Sequence, residues 1–170
     1  MRRTMVLALA GALLLALAPA APAQIAVGGP KPLATGPTNF GEGVTIDLMS
    51  VERKGSVLTV KWAVRNQGAK QEQVQFLMTG KTQSTYVLDE ESGTKYYALT
   101  DKEKNTLASE HEYVGSDSYG ISDYVPAGTT NRYWAKFPAP PPAVKTINVF
   151  FTNSDPFEGI AIADKSIADK

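Results

Sequence analysis

The sequence predicts an all-β protein, folded as a Greek-key β-sandwich of about eight or nine strands. Several short runs alternate apolar and polar residues with a period of two, which is typical of strands with one buried face. No sustained helical periodicity follows the N-terminal segment. Turns recur at uneven intervals, and uneven connections favour Greek-key topology. Because the chain has no cysteine, the sandwich is expected to lack a disulfide.

Residues 1–23 have the pattern of a signal peptide. Arg2 and Arg3 precede an uncharged apolar run over residues 5–18, and Ala21 to Ala23 supply the small residues of a cleavage site. A run of about 14 residues is shorter than the roughly 20 that a membrane-spanning helix needs. We therefore expect cleavage after Ala23, a periplasmic or secreted protein, and no membrane span after signal removal. An uncleaved anchor helix is the alternative.

Charge and composition narrow the range of partners. Removal of Arg2 and Arg3 leaves 15 of the 17 basic residues against 17 acidic ones. Neither this balance nor the spacing of lysine and arginine offers the dense basic patch that nucleic-acid binding requires. Nucleic acid is therefore not an expected partner. Without disulfides, a single core built from about 147 residues has to supply the stability.

The composition after the cleavage site predicts three further segments. Residues 24–40 are rich in glycine and proline and have no hydrophobic period, which indicates a flexible arm. Residues 41–163 are predicted to form the β-sandwich. Residues 164–170 are predicted to be a polar tail.

The first strands of the sandwich follow from alternation. Val44, Ile46 and Leu48 lie on one side of a run whose other side carries Thr45 and Asp47. The same pattern marks three later strands, through Leu58, Val60, Trp62 and Val64; Val74, Phe76 and Met78; and Ile147, Val149 and Phe151. It predicts that Trp62 lies in the core.

Residues 86–109 predict two consecutive hairpins. In the first, the runs at 86–88 and 95–99 flank a turn at 91–93 that contains Gly93, a residue suited to positive φ. The second turns through residues 101–105 and returns along 106–109. A short helix over residues 100–110 is the alternative, although Leu107 would be its only large apolar anchor.

The late strand TNRYWAKF follows a turn at Val125–Gly128 and ends at the proline-rich corner 138–142, because proline cannot donate to a sheet ladder. Alternation places Tyr133, Ala135 and Phe137 on one face. Trp134 then lies on the opposite face, between Arg132 and Lys136. This tryptophan is either an exposed ligand platform or a ring packed beneath a loop.

Four stretches together resemble a family of secreted bacterial immunoglobulin-like domains, which includes a mycobacterial secreted antigen and modules associated with envelope proteins. They are VLTVKWAVRNQG, YVLDEESGTKYYALTD, VPAGTTNRYWAKFPAPPPAVKTINVFF and DPFEGIAI, in this order within residues 43–162. The resemblance implies an immunoglobulin-like fold for the predicted Greek-key sandwich, and an adaptor or binding module without a shared catalytic motif. The cysteine pair of antibody domains is absent from this chain.

Residue types with catalytic or metal-binding chemistry are sparse. His111 is the only histidine, and with Glu110 and Glu112 it has neither the number nor the spacing of zinc ligands. No Gly-x-Ser-x-Gly elbow occurs. We therefore predict no catalytic residues, no cofactor and no metal site. Two alternatives remain: a weak calcium site or a carboxylate-based hydrolase, built on the acidic turn residues Asp89, Glu90, Glu91, Asp101 and Glu103.

The candidate binding residues are Tyr113, Tyr119 and Tyr124, with Trp134 as a neighbour. The tyrosines lie among serine, glycine and aspartate in the segment 109–124, a composition typical of recognition loops. The alternative is a crossover whose tyrosines cover the sandwich edge. The sequence thus predicts an exported, non-catalytic binding or interaction module of the bacterial cell envelope, whose partner is another envelope protein or a glycan.

Overall fold

The computed structural model describes residues 30–80, 84–109, 112–115 and 118–166. These residues form twelve strands and no helix, which confirms the all-β prediction. The strands are β1 (Ala34–Pro37), β2 (Val44–Lys54), β3 (Val57–Asn66), β4 (Glu72–Gly80), β5 (Tyr86–Asp89), β6 (Thr94–Tyr97), β7 (Glu112–Gly115), β8 (Ser118–Val125), β9 (Thr130–Pro138), β10 (Thr146–Phe150), β11 (Phe157–Ala161) and β12 (Ala163–Asp164). The count exceeds the predicted eight or nine because several short strands lie at segments with little alternation.

The strands form three sheets around one core. Sheet I has five strands, in the order β1-β2-β3-β9 with β12 beside β2; sheet II has the order β4-β8-β7; and sheet III has the order β11-β10-β5-β6. All strand pairs are antiparallel except β12 with β2. Strand β3 lies beside β9 and β5 lies beside β10, so distant parts of the chain cross between sheets.

The sandwich extends beyond the predicted limits of 41–163 at both ends. Strand β1 lies within the predicted arm and pairs with β2, and the Thr35 hydroxyl donates to Asp47 Oδ1 at 2.6 Å. Strand β12 includes Asp164, the first residue of the predicted tail. Strand β12 pairs with a strand far earlier in the chain, whereas β1 pairs with the strand that follows it, although its glycine- and proline-containing sequence shows no alternation. The predicted signal peptide at 1–23 lies outside the described residues.

Aromatic rings fill the centre of the core, and Trp62 is among them as predicted. Trp62 is 1% exposed. Its ring centroid lies 4.9 Å from that of Phe151, 5.2 Å from that of Phe76 and 5.9 Å from that of Tyr133. These rings come from sheet I, from sheet II and from the end of β10. The tryptophan therefore packs against both layers of the sandwich.

A β-bulge in β2 brings an arginine into the interior. Leu48 pairs with Trp62, but Ser50 pairs with Lys61, so Met49 is an extra residue in the ladder. The inward face shifts by one position at the bulge. Beyond it Val51 and Arg53 point inward, and Arg53 is 4% exposed.

Arg53 holds the proline-rich corner. Its guanidinium donates to four backbone carbonyls, those of Pro140 (3.2 Å), Pro141 (2.9 Å), Pro142 (3.4 Å) and Val144 (3.1 Å). Its Nε lies 2.6 Å from Asp164 Oδ1 on β12. Strand β9 ends at Pro138, as the prolines predict. Because proline has no N–H, the corner is fixed through its carbonyl oxygens instead.

Both hairpins predicted between residues 86 and 109 are present. Strands β5 and β6 flank a turn in which Gly93 adopts a φ of 67°. In the second hairpin, Thr100 pairs with Thr106, and the Asp101 N–H donates to the Asn105 carbonyl at 2.9 Å. The described residues 100–109 contain no helix, so the helical alternative is wrong.

The tyrosine-containing segment is a hairpin rather than the predicted loop. Strands β7 and β8 pair with one another, and β8 also pairs with β4. Gly120 is one of the glycines whose presence in this segment indicated a loop. An added Cβ at this position would collide with the Phe76 carbonyl oxygen. This glycine therefore allows close approach of the β4 backbone.

Candidate functional site

Trp134 is exposed on the outer face of sheet I. The alternation along β9 buries Tyr133, Ala135 and Phe137 and leaves Trp134 38% exposed. The predicted orientation of this strand is therefore confirmed. The role of Trp134 as a ligand platform stays a prediction.

The register of sheet I defines the neighbours of Trp134. Lys61 on β3 lies directly opposite it, and Lys136 lies opposite Thr59 on the same outer face. Arg132 is opposite Ala63. Lys136 Nζ is 5.7 Å from the indole centroid, within the range of a cation–π interaction. We call Trp134, Lys61, Arg132 and Lys136 the tryptophan face.

On its other edge, β9 is bound to residues 107–109. The Ser109 N–H donates to the Trp134 carbonyl at 2.8 Å, and the Trp134 N–H donates to the Ser109 hydroxyl at 2.8 Å. The Lys136 N–H donates to the Leu107 carbonyl at 2.8 Å. The backbone that carries Trp134 therefore has neighbours on both sides.

The tryptophan face has more positive than negative charge. Lys61 Nζ is 3.8 Å from the Glu52 carboxylate. Arg132 and Lys136 form no ion pair with any carboxylate within the part of the chain that the structure describes. Further along the same outer face, Arg65 is paired with Asp47 at 2.6 Å. The cations on either side of Trp134 along β9 are thus available to an external anion.

A buried tyrosine fixes β9 against β8 just behind the exposed ring. The Tyr133 hydroxyl donates to Asp123 Oδ2 at 2.8 Å, and Asn131 Nδ2 donates to the same oxygen at 2.9 Å. Burial, together with this bond to Asp123, raises the pKa of Tyr133 far above its ordinary value. The phenol therefore stays protonated and continues to donate. This contact gives Trp134 a rigid support.

The predicted tyrosines lie elsewhere. Tyr119 and Tyr124 are an odd number of positions apart on β8, so they point to opposite faces of sheet II. Tyr124 is 56% exposed on the outer face, whereas Tyr119 borders a cavity of about 210 Å³ with residues 103–106. The backbone of Tyr113 pairs with Tyr119. Trp134 lies on sheet I and Tyr124 on sheet II, and the binding role of all four residues stays a prediction.

Sequence reasoning missed an aromatic row on the outer face of sheet III. Tyr86 stacks on Phe150 with centroids 4.5 Å apart and an interplanar angle of 12°. Lys95 Nζ lies 4.4 Å from the centroid of the Tyr86 ring, and Tyr97 is 5.9 Å away from it. The hairpin register could have indicated Tyr86 opposite Tyr97. Because neighbours cover both faces of the Tyr86 ring, this row stabilises its own sheet.

Three of the five acidic residues considered for calcium or hydrolysis have hydrogen-bond partners close by. Asp89 accepts from the Ser92 hydroxyl at 2.7 Å, and Glu90 accepts from Asn148 Nδ2 at 3.2 Å. Asp101 accepts from both the backbone N–H and the side-chain amide of Asn105, at 2.8 and 3.0 Å. The side-chain bond from Asn105 is the main cause of the lowered pKa of Asp101. A general acid needs a shift in the opposite direction.

Within the described ranges, no group of three or more histidine, cysteine or carboxylate side chains is placed to hold a metal ion. His111 lies outside the described residues. The same ranges contain no helix with the length and apolar character needed to cross a membrane.

Comparison of the chain with known protein families, curated proteins and solved structures finds no match. The resemblance to secreted immunoglobulin-like domains therefore stays a prediction. The function has to be argued from the geometry of the chain itself.

Proposed function

We propose that this protein is an exported, non-catalytic binding module of the bacterial cell envelope, with another envelope protein or a glycan as its partner. The signal-peptide pattern of residues 1–23 supports export to the periplasm or the exterior. The all-β fold supports a binding role because such scaffolds present rigid surfaces between short turns.

The observation that carries the proposal is the exposed tryptophan face. The Trp134 ring is 38% exposed although the core of the same chain buries its other tryptophan almost completely. A partly exposed tryptophan on a paired strand, with cations beside it, offers an aromatic anchor of the kind that contributes strongly to binding surfaces. Carboxylates that hold their own turns favour a structural role for the acidic residues over hydrolysis or calcium binding.

Affinity capture from an envelope extract tests the proposal. The mature protein is immobilised, and both protein and carbohydrate are analysed in the eluate. Trp134→Ala is compared with Tyr97→Ala, which removes an exposed ring from a different sheet. A Tyr113→Ala, Tyr119→Ala double variant tests the predicted tyrosines.

We expect the retained material to depend on Trp134 and to be unaffected by Tyr97→Ala. Equal retention by the wild type and by Trp134→Ala, with circular dichroism spectra unchanged, would exclude the tryptophan face as the binding surface. If only the tyrosine double variant loses the retained material, the binding site lies on β7 and β8. If the wild-type protein retains no protein and no carbohydrate, the proposal of a binding module is wrong.

A further inference from the structure

We infer that the tryptophan face binds a polysaccharide that bears carboxylates, that is, a chain containing uronic acids. The inference rests on the proposed binding function and specifies the chemistry of the ligand. It is argued from the positions of the cations, from the exposed ring and from the size of the surface.

The cations surround the ring on three sides. Arg132 and Lys136 are two positions from Trp134 on the same strand, which places each about 7 Å away along β9. Lys61 lies directly across the sheet, where paired Cβ atoms are about 5 Å apart. An anionic group next to a ligand ring stacked on Trp134 can therefore reach a cation in any of these directions.

The charge of the face calls for an anionic ligand. Three cations stand against the single carboxylate of Glu52, which is 3.8 Å from Lys61. Arg132 presents the planar fork that binds a carboxylate through two parallel hydrogen bonds. Lys136 adds a mobile point charge on the opposite side of the ring. A neutral ligand would form no ion pair with either cation on β9.

The exposed ring calls for a ligand with a flat apolar face. The C–H groups on one side of a pyranose ring pack against an aromatic ring, while its substituents project from the ring edge. In a uronic acid one of these substituents is a carboxylate. Stacking on Trp134 therefore directs the carboxylate sideways, toward the cations on β9 or toward Lys61.

The size of the surface favours a sugar chain over a protein or a membrane. A stable protein interface buries about 800 Å² on each partner and is anchored by several aromatic or arginine side chains. Membrane-surface binding needs a broad apolar face. Among the described residues, Trp134 is the only exposed large hydrophobic residue on the outer faces of β2, β3 and β9. One ring with flanking cations fits one or two sugar units.

Tryptophan fluorescence can test the inference on the mature protein. The chain has two tryptophans, and Trp62 is 1% exposed, so a ligand-induced change in emission reports Trp134. The probes are oligogalacturonate and an alginate oligomer. The methyl ester of oligogalacturonate is the matched neutral ligand, and phosphatidylglycerol vesicles represent an anionic membrane surface. Isothermal titration calorimetry gives the affinities of variants that lack Trp134.

We expect at least one of the two uronate chains to bind, the methyl ester to bind about tenfold more weakly or not at all, and added salt to weaken binding. Trp134→Ala, Arg132→Gln and Lys136→Gln should each lower the affinity, Trp134→Ala by about tenfold. Tyr97→Ala and Lys102→Gln change an exposed ring and an exposed cation outside this face. Both should retain the wild-type affinity.

Three results would overturn the inference. Equal binding of the ester and the acid would show that the cations are not used, and tighter binding to vesicles than to either uronate would indicate a lipid surface. Absence of binding to both uronate chains would reject this ligand class. In that last case, Trp134-dependent capture from the envelope extract would still support the binding module, so the two proposals fail separately.

Discussion

Replacement of Arg53 by methionine should strongly destabilise the sandwich. Methionine has a similar length and no donor, so the change removes the guanidinium while it retains much of the packing volume. The four carbonyls of the proline-rich corner would then lose a donor that lies inside the protein, where the Arg53 side chain is 5% exposed. Asp164 would lose its partner on β12 at the same time.

The size of the effect follows from burial. The partner carboxylate of Asp164 is 54% exposed, so solvent screens the ion pair and it contributes little. Most of the loss comes from the carbonyls, because a buried acceptor that loses its donor costs about 1–3 kcal/mol. We expect a loss of this size in the free energy of unfolding. Arg53→Lys should lose a large part of it, since a compact ammonium cannot reach the same set of acceptors.

Equilibrium unfolding in urea, followed by tryptophan fluorescence, measures the change. Arg132→Met is the matched control because it removes an exposed arginine from the outer face of sheet I, and it should cost less than about 0.5 kcal/mol. A loss below about 1 kcal/mol for Arg53→Met, with an unchanged urea dependence, would show that water replaces the guanidinium at the corner. The assignment of Arg53 as the structural centre of that corner would then be wrong.

Three further predictions can be tested independently. Trp62→Ala should cost about 3–5 kcal/mol of unfolding free energy, and Trp134→Ala less than about 1 kcal/mol, because only the first ring is buried; equal losses in urea unfolding would contradict the strand orientations. The hydrogen bond from Arg53 is the main cause that lowers the pKa of Asp164 below its ordinary value of 3.8. The ionised Asp164 side chain therefore stabilises the folded state fully above pH 3.8, and this contribution is lost as the pH falls through the lowered pKa. The difference in melting temperature between wild type and Asp164→Asn should therefore disappear in strongly acidic buffer, whereas Asp155→Asn, at an exposed position, should differ little from wild type at any pH. Mass spectrometry of the native protein should find Gln24 at its N-terminus, and an intact Met1 in a membrane fraction would refute export.

Local alternation was sufficient to predict the orientation of residues within a strand. The period-two pattern of β3 placed Trp62 in the core, and that of β9 placed Trp134 outside, both as the structure has them. Gly93 marked the first hairpin because the turn demands a positive φ. These features depend on neighbours in sequence, so they can be inferred without knowledge of the whole fold.

Only the tertiary structure decided which distant segments meet. The bulge at Met49 turns Arg53 inward, and the local sequence pattern of β2 does not predict this bulge. The crossover that sets β3 beside β9 places Lys61 opposite Trp134 and so creates the tryptophan face. Gly120 belongs to a strand because β4 approaches its backbone there. The packing of the complete core determines which distant strands pair, and a local sequence pattern is not sufficient to predict that pairing.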